Sequence, residues 1–279
     1  MVTGFKRYLS LPVTRAPKRR PLAEEKADHV RSTSLPCPSH PLISHLEDEI
    51  AALRAWHSRT GPYRLGWVRF GLDRLERVLS SLTELLRLPQ AQGWVRRSRG
   101  SVWTERLLED SVRLADGFGT LRLEIMAMSD HQWTARTAIR RRDEPRFAAS
   151  ARSMRRSKKD LVRVASALKS ATRSPGTPRG SVTDAAEAEL TWVVRQAVSE
   201  TVVASESVVL GIATAVRFGT AAAAAKKREM GDREWRRSEL ERLERLGAWM
   251  EPLQSRCERV FRSVVNIRVL LLNTLTPCL

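Results

Sequence analysis

From Pro41 onward, apolar and polar residues alternate with a helical period. Leu42, Leu46, Ile50, Leu53 and Trp56 recur at steps of three and four, which predicts a first helix with Ser39 as N-cap and Gly61-Pro62 as its end. Leu65, Val68, Leu72, Leu75, Leu79, Leu82 and Leu86 form the cleanest stripe in the chain, and Pro89 stops it. After a loop around Gly93 and Gly100, a third helix is expected from near Ser101 to Arg142, with Leu107, Leu114, Phe118, Leu121, Ile125 and Met128 on one side. A fourth, from about Glu144 to Ala171, aligns Phe147, Ala151, Met154, Leu161, Ala165 and Leu168.

The prolines and glycines between Ser174 and Gly180 predict a linker near residues 172–181 that divides the helices into two halves. The valine-rich run Val182 to Thr220 keeps helical spacing at Leu190, Val194, Ala197, Thr201, Ala204 and Val208, over a length no strand needs. A final run places Leu243, Leu246, Met250, Leu253, Cys257, Val260, Val264, Ile267 and Leu271 at coiled-coil-like intervals. Pro252 is expected to kink or restart it, giving two packed segments. The pattern predicts an all-α protein: an elongated antiparallel helical bundle of about six helices over residues 39–279, behind a disordered basic tail over 1–38. Val260, Val264, Ile267 and Leu271 are expected core positions, and Gly117 and Gly119 read as a close helix contact.

Charge changes the picture because it is local. Of a formal +18, residues 1–38 carry +5 and residues 136–179 carry +11. The fourth helix bears most of the second excess, with Arg152, Arg155, Arg156, Lys158, Lys159 and Arg163 on its polar side. Such a face fits nucleic acid, plain solvation, or an anionic membrane surface that Phe147, Met154 and Leu161 would enter, although those three side chains are expected to be buried in the bundle instead. Composition does not choose among them.

Catalytic constellations do not emerge. His29, His40, His45, His57 and His131 are scattered without metal-ligand spacing, and adjacent carboxylates such as Asp48-Glu49 do not face each other. No enzyme, cofactor or metal site is expected. The tryptophans sit inside helical patterns, where an aromatic ring belongs to core or rim. Cys37, Cys257 and Cys278 form no disulfide framework, and no signal core precedes them. An intracellular protein is expected, in the cytoplasm first, with nucleus, membrane periphery and plastid open. Glu206 interrupts Val202 to Val216, and Arg262, Asn266 and Arg268 interrupt Val260 to Leu275, so no transmembrane span is expected.

The sharpest local motif is Arg31-Ser32-Thr33-Ser34-Leu35-Pro36. Arg31 three residues before Ser34 suits a basophilic kinase, and Pro36 two after it suits a 14-3-3-type phosphoserine reader. A phosphate on Ser34 would add nearly two negative charges for a partner's arginines to hold. An unmodified serine-rich linker has the same composition.

Three stretches carry a resemblance: HVRSTSLPCPSHP over His29 to Pro41, LLEDSVRLADGFG over Leu107 to Gly119, and VFRSVVNIRVLLLNTL over Val260 to Leu275. In this order, on a helical background, the chain resembles the plant-specific BYPASS-type (BPS) family. The resemblance implies a plant protein linked to root and shoot development, and it transfers no catalytic residue. With no catalytic set in the chain, the role expected here is a non-enzymatic regulator or adaptor that binds other proteins.

Overall fold

His40 opens the first helix. Its Nδ1 accepts a 3.2 Å hydrogen bond from the Leu42 amide, and Pro41 behind it needs no amide partner. His40 therefore caps where Ser39 was expected. The structure, a computed structural model, describes residues 40–58, 65–171, 185–216 and 231–276, within the unit Pro36–Leu279. The expected tail, Ser39 and the linker near 172–181 lie outside the described residues.

Seven helices occur among the described residues: α1 (Pro41–His57), α2 (Leu65–Arg87), α3 (Pro89–Arg97), α4 (Val102–Arg141), α5 (Glu144–Ala171), α6 (Ala185–Ala215) and α7 (Asp232–Leu275). The all-α class and the predicted apolar stripes hold, and the helix count rises by one. The extra helix is α3, in place of the expected loop around Gly93. Pro89 ends α2 and also fits the first turn of α3, whose Ala91, Trp94 and Val95 are buried. Ser101 caps α4 by accepting a 3.2 Å hydrogen bond from the Thr104 amide.

Pro252 does not divide the last helix, which runs continuously for 44 residues. The reason is tertiary. Gln132 of α4 donates to the Leu243 carbonyl at 2.7 Å, Arg122 pairs with Glu258 at 2.7 Å, and Arg268 donates to the Leu108 carbonyl at 3.3 Å. These ties lie on both sides of the proline in one antiparallel register, so α4 splints α7 through it. The carbonyl that Pro252 cannot serve belongs to Ala248, an exposed residue where water can serve it.

Consecutive pairs α1/α2 and α4/α5 run antiparallel, whereas α2 and α7 run parallel. Arg256 pairs with Asp73 at 2.6 Å and Arg259 with Glu76 at 2.8 Å, advancing in the same direction on both helices. The centre lies among α2, α4, α6 and α7, where Leu79, Leu82, Leu114, Val198, Val264 and Ile267 surround an apolar void of about 20 Å³. That is room for one water at most, and its lining is nearly all hydrocarbon.

Helix α6 is long and apolar enough over Glu187–Ala215 to cross a bilayer by length and composition, with mean hydropathy 1.3. More than half of its apolar window, 56%, is buried inside the bundle. Contacts with α1, α2, α4 and α5 account for that apolarity. Gly117 is the close approach that its sequence context predicts: a Cβ there would lie 2.9 Å from Leu168 Cδ2 on α5.

Candidate interaction surfaces

The interior uses its polar groups on itself. Thr201 donates to the Ala197 carbonyl at 2.6 Å, Ser205 to Thr201 at 2.6 Å and Thr274 to Leu270 at 2.7 Å, the local bonds that satisfy a buried hydroxyl in a helix. Burial pushes the Cys257 thiol up to about 12, so it stays protonated at neutral pH and serves as a packing group. His57 pairs with Glu200 at 2.8 Å and Arg54 shares the same carboxylate at 2.8 Å, which ties α1 to α6.

Glu258 shows what an outward-facing cluster does. Hydrogen bonds from Arg122 and Arg262 hold its carboxyl below the ordinary value. Glu189 is the opposite case. Its Oε2 is buried with no hydrogen-bond partner among the described residues, and burial, then the charge of Glu47, raise its pKa above the ordinary 4.5. A raised carboxyl binds its proton more readily in the folded state, so its stabilising contribution is lost as pH rises through the folded pKa. Glu189→Gln should therefore raise the melting temperature at neutral pH, and its advantage over the wild type should shrink as pH falls through the folded pKa of this carboxyl. Thermal unfolding of both proteins from neutral into acidic pH checks this.

Of the candidate residues, Ser34 and its neighbours Arg31, Ser32 and Pro36 lie outside the described residues. The basic face is on α5. Arg152, Arg155, Arg156, Lys159 and Arg163 are exposed and Lys158 is half-buried, while Ala151, Met154, Leu161, Ala165 and Leu168 are buried beneath them. Arg163 pairs with Asp160 at 2.6 Å. The expected burial of the apolar side chains on this helix holds: Met154 and Leu161 are fully buried in the bundle and Phe147 packs against it, edge-on to Trp235 with ring centroids 5.6 Å apart.

A second surface was not anticipated. Leu123, Met126 and Trp133 of α4 are 60%, 44% and 64% exposed. Their spacing puts all three on one outer face with Asp130, opposite the buried Leu121, Ile125 and Met128. Trp192 of α6 is also exposed, so the expectation of core or rim fails for two tryptophans. The signal was present in the sequence, because Leu123, Met126 and Trp133 fall outside the core stripe of their helix.

Residues 71–274, most of the chain, match the family described as Protein BPS1. No curated protein and no solved structure matches the chain.

Proposed function

Because the chain belongs to the BPS1 family, we propose that it is a non-enzymatic adaptor in plant development, including root and shoot growth, that works in the cytoplasm by binding other proteins. Family membership fits the developmental role. The observation that carries the binding role is the outer apolar face of α4, where Leu123, Met126 and Trp133 stand in solvent. Large apolar side chains are common singly on surfaces, but three aligned along about 15 Å of one helix form the kind of face a partner helix covers. The polar interior, spent on backbone hydrogen bonds, supports a packing role for the bundle rather than a chemical one.

Ser34 is the proposed switch. Phosphorylation beside Arg31 would create a site for a 14-3-3-type reader and add a second partner to the one on α4. Affinity purification from growing root or shoot tissue, comparing native protein with Ser34→Ala, should show the reader captured only by the native chain. Equal capture, or a Ser34 that never carries phosphate in that tissue, removes the switch.

The exposed row Arg152, Arg156 and Lys159 favours one alternative, a peripheral membrane or nucleic-acid binder. Polyanion binding through that row should weaken steeply with salt, whereas apolar docking on α4 should change little.

A further inference from the structure

Beyond the helix faces, the bundle has a charged cleft where the C-terminal end of α4 meets the first turns of α7. Its volume is about 390 Å³, and Arg140, Arg142, Arg233, Arg236 and Arg237 line it over a floor containing Ile139 and Leu240. That volume falls within the range of small-molecule sites. The edge-on contact of Trp235 with Phe147 ties the first turns of α7 to α5 and so fixes this wall.

Internal pairing accounts for only part of the charge. Arg236 pairs with Asp232 at 2.8 Å, Arg237 with Glu241 at 3.3 Å, and Glu244 is shared between Arg136 at 2.7 Å and Arg140 at 3.6 Å. Arg142 and Arg233 make no ion pair or hydrogen bond through their side chains among the described residues. Two guanidinium forks are thus left to face the cleft.

Arg142 carries a second, independent observation. It stands at the C-terminal end of α4 with φ 58° and ψ 30°, the left-handed conformation that glycine adopts at low cost. Its amide donates to the Ile139 carbonyl at 3.2 Å and the Asp143 amide to Ala138 at 2.9 Å, which is the paired closure a glycine usually completes. Glycine would make this turn more stable. A side chain held at a strained position that lines a cation-rich cleft indicates a use for that side chain.

We infer that this cleft binds a phosphorylated polyol, free or as the headgroup of a lipid. Arginine forks match phosphate oxygens two at a time. Glu241 and Glu244, in the same wall, oppose a ligand made only of anionic groups and can accept hydrogen bonds from hydroxyls. A compact ring bearing both phosphates and hydroxyls satisfies both sets, whereas an extended nucleic-acid backbone would follow the open row on α5.

The test uses the full chain with two probes, soluble inositol 1,4,5-trisphosphate, which keeps three free hydroxyls, and phosphatidylcholine vesicles with and without phosphatidylinositol bisphosphate. Arg142→Gly should raise the melting temperature and yet weaken binding at least about tenfold, the worth of one charge-assisted hydrogen bond. Arg233→Gln should weaken it similarly, and Arg156→Gln on α5 should change it by less than about twofold at physiological salt. Binding to both probes, or to one alone, with that ranking supports the site and identifies its source as headgroup, free polyol phosphate or both. Binding to neither probe, an Arg142→Gly affinity equal to wild type, or a loss that follows Arg156→Gln instead overturns it.

Discussion

Replacing Leu271 by Asp should abolish cooperative folding of the bundle. Leu271 is 1% exposed near the end of α7, in the core that α7 shares with α2 and α4. The substitution removes the packing of a full leucine and puts a carboxylate into the hydrocarbon core. Either loss alone would be serious. Leucine to alanine at such a site costs about 2–5 kcal/mol, and an unpaired buried charge takes the sum beyond about 4 kcal/mol, most of the stability of an ordinary domain. Leu271→Met, which conserves volume and apolarity, should cost less than about 1.5 kcal/mol. Circular dichroism with denaturant melts separates the outcomes. A soluble Leu271→Asp protein with one sharp transition would mean that the last turns of α7 do not hold the core together.

Gly71→Ala should destabilise the protein, although alanine is the better helix former by about 0.8–1 kcal/mol. The sign reverses because α2 and α1 touch at this point. A Cβ on Gly71 would lie 2.7 Å from Cε2 of the Trp56 indole and closer still to Cζ2 and Cη2. Trp56 has little freedom to withdraw. It is buried, stacked on Trp67 with ring centroids 4.2 Å apart, and its Nε1 donates to the Trp67 carbonyl at 3.1 Å. Forcing a rigid ring aside costs about 1–3 kcal/mol, enough to outweigh the propensity gain, and should lower the melting temperature by several degrees. The paired test is Trp56→Phe, which removes the colliding half of the indole. In that background Gly71→Ala should be close to neutral, with a coupling of at least about 1 kcal/mol across the cycle. A Gly71→Ala protein more stable than wild type would contradict the contact.

How much of this was readable from the residues depends on whether a feature is local. The stripe of α2 and the bounds of α5, Glu144 to Ala171, follow from period and flanking signals alone, and the structure matches them. The buried set Val260, Val264, Ile267 and Leu271 likewise follows from spacing. Pro252 misled because its effect is judged locally, whereas α4 holds α7 straight from both sides through ties to Leu243 and Glu258. Gly93 misled in the same way, since Ala91, Trp94 and Val95 give α3 a buried face that outweighs one glycine. The cleft near Arg142 brings together residues about ninety positions apart, so the charge excess of residues 136–179 could be counted but its meeting with Arg233 could not be seen. The outer face of α4 follows from spacing, since Leu123, Met126 and Trp133 fall off the core stripe, but a tryptophan inside a helical pattern reads as core or rim and Trp133 is neither.

The most direct measurement is affinity capture from growing root and shoot tissue with the wild-type chain and the double variant Leu123→Glu, Trp133→Glu. Both side chains are more than half exposed, so the variant should melt within about 2 °C of wild type, as surface substitutions do. With folding matched, proteins retained by the wild type should be missing from the variant. An unchanged set of captured proteins would show that the bundle does not recruit through α4, and the adaptor reading would fail.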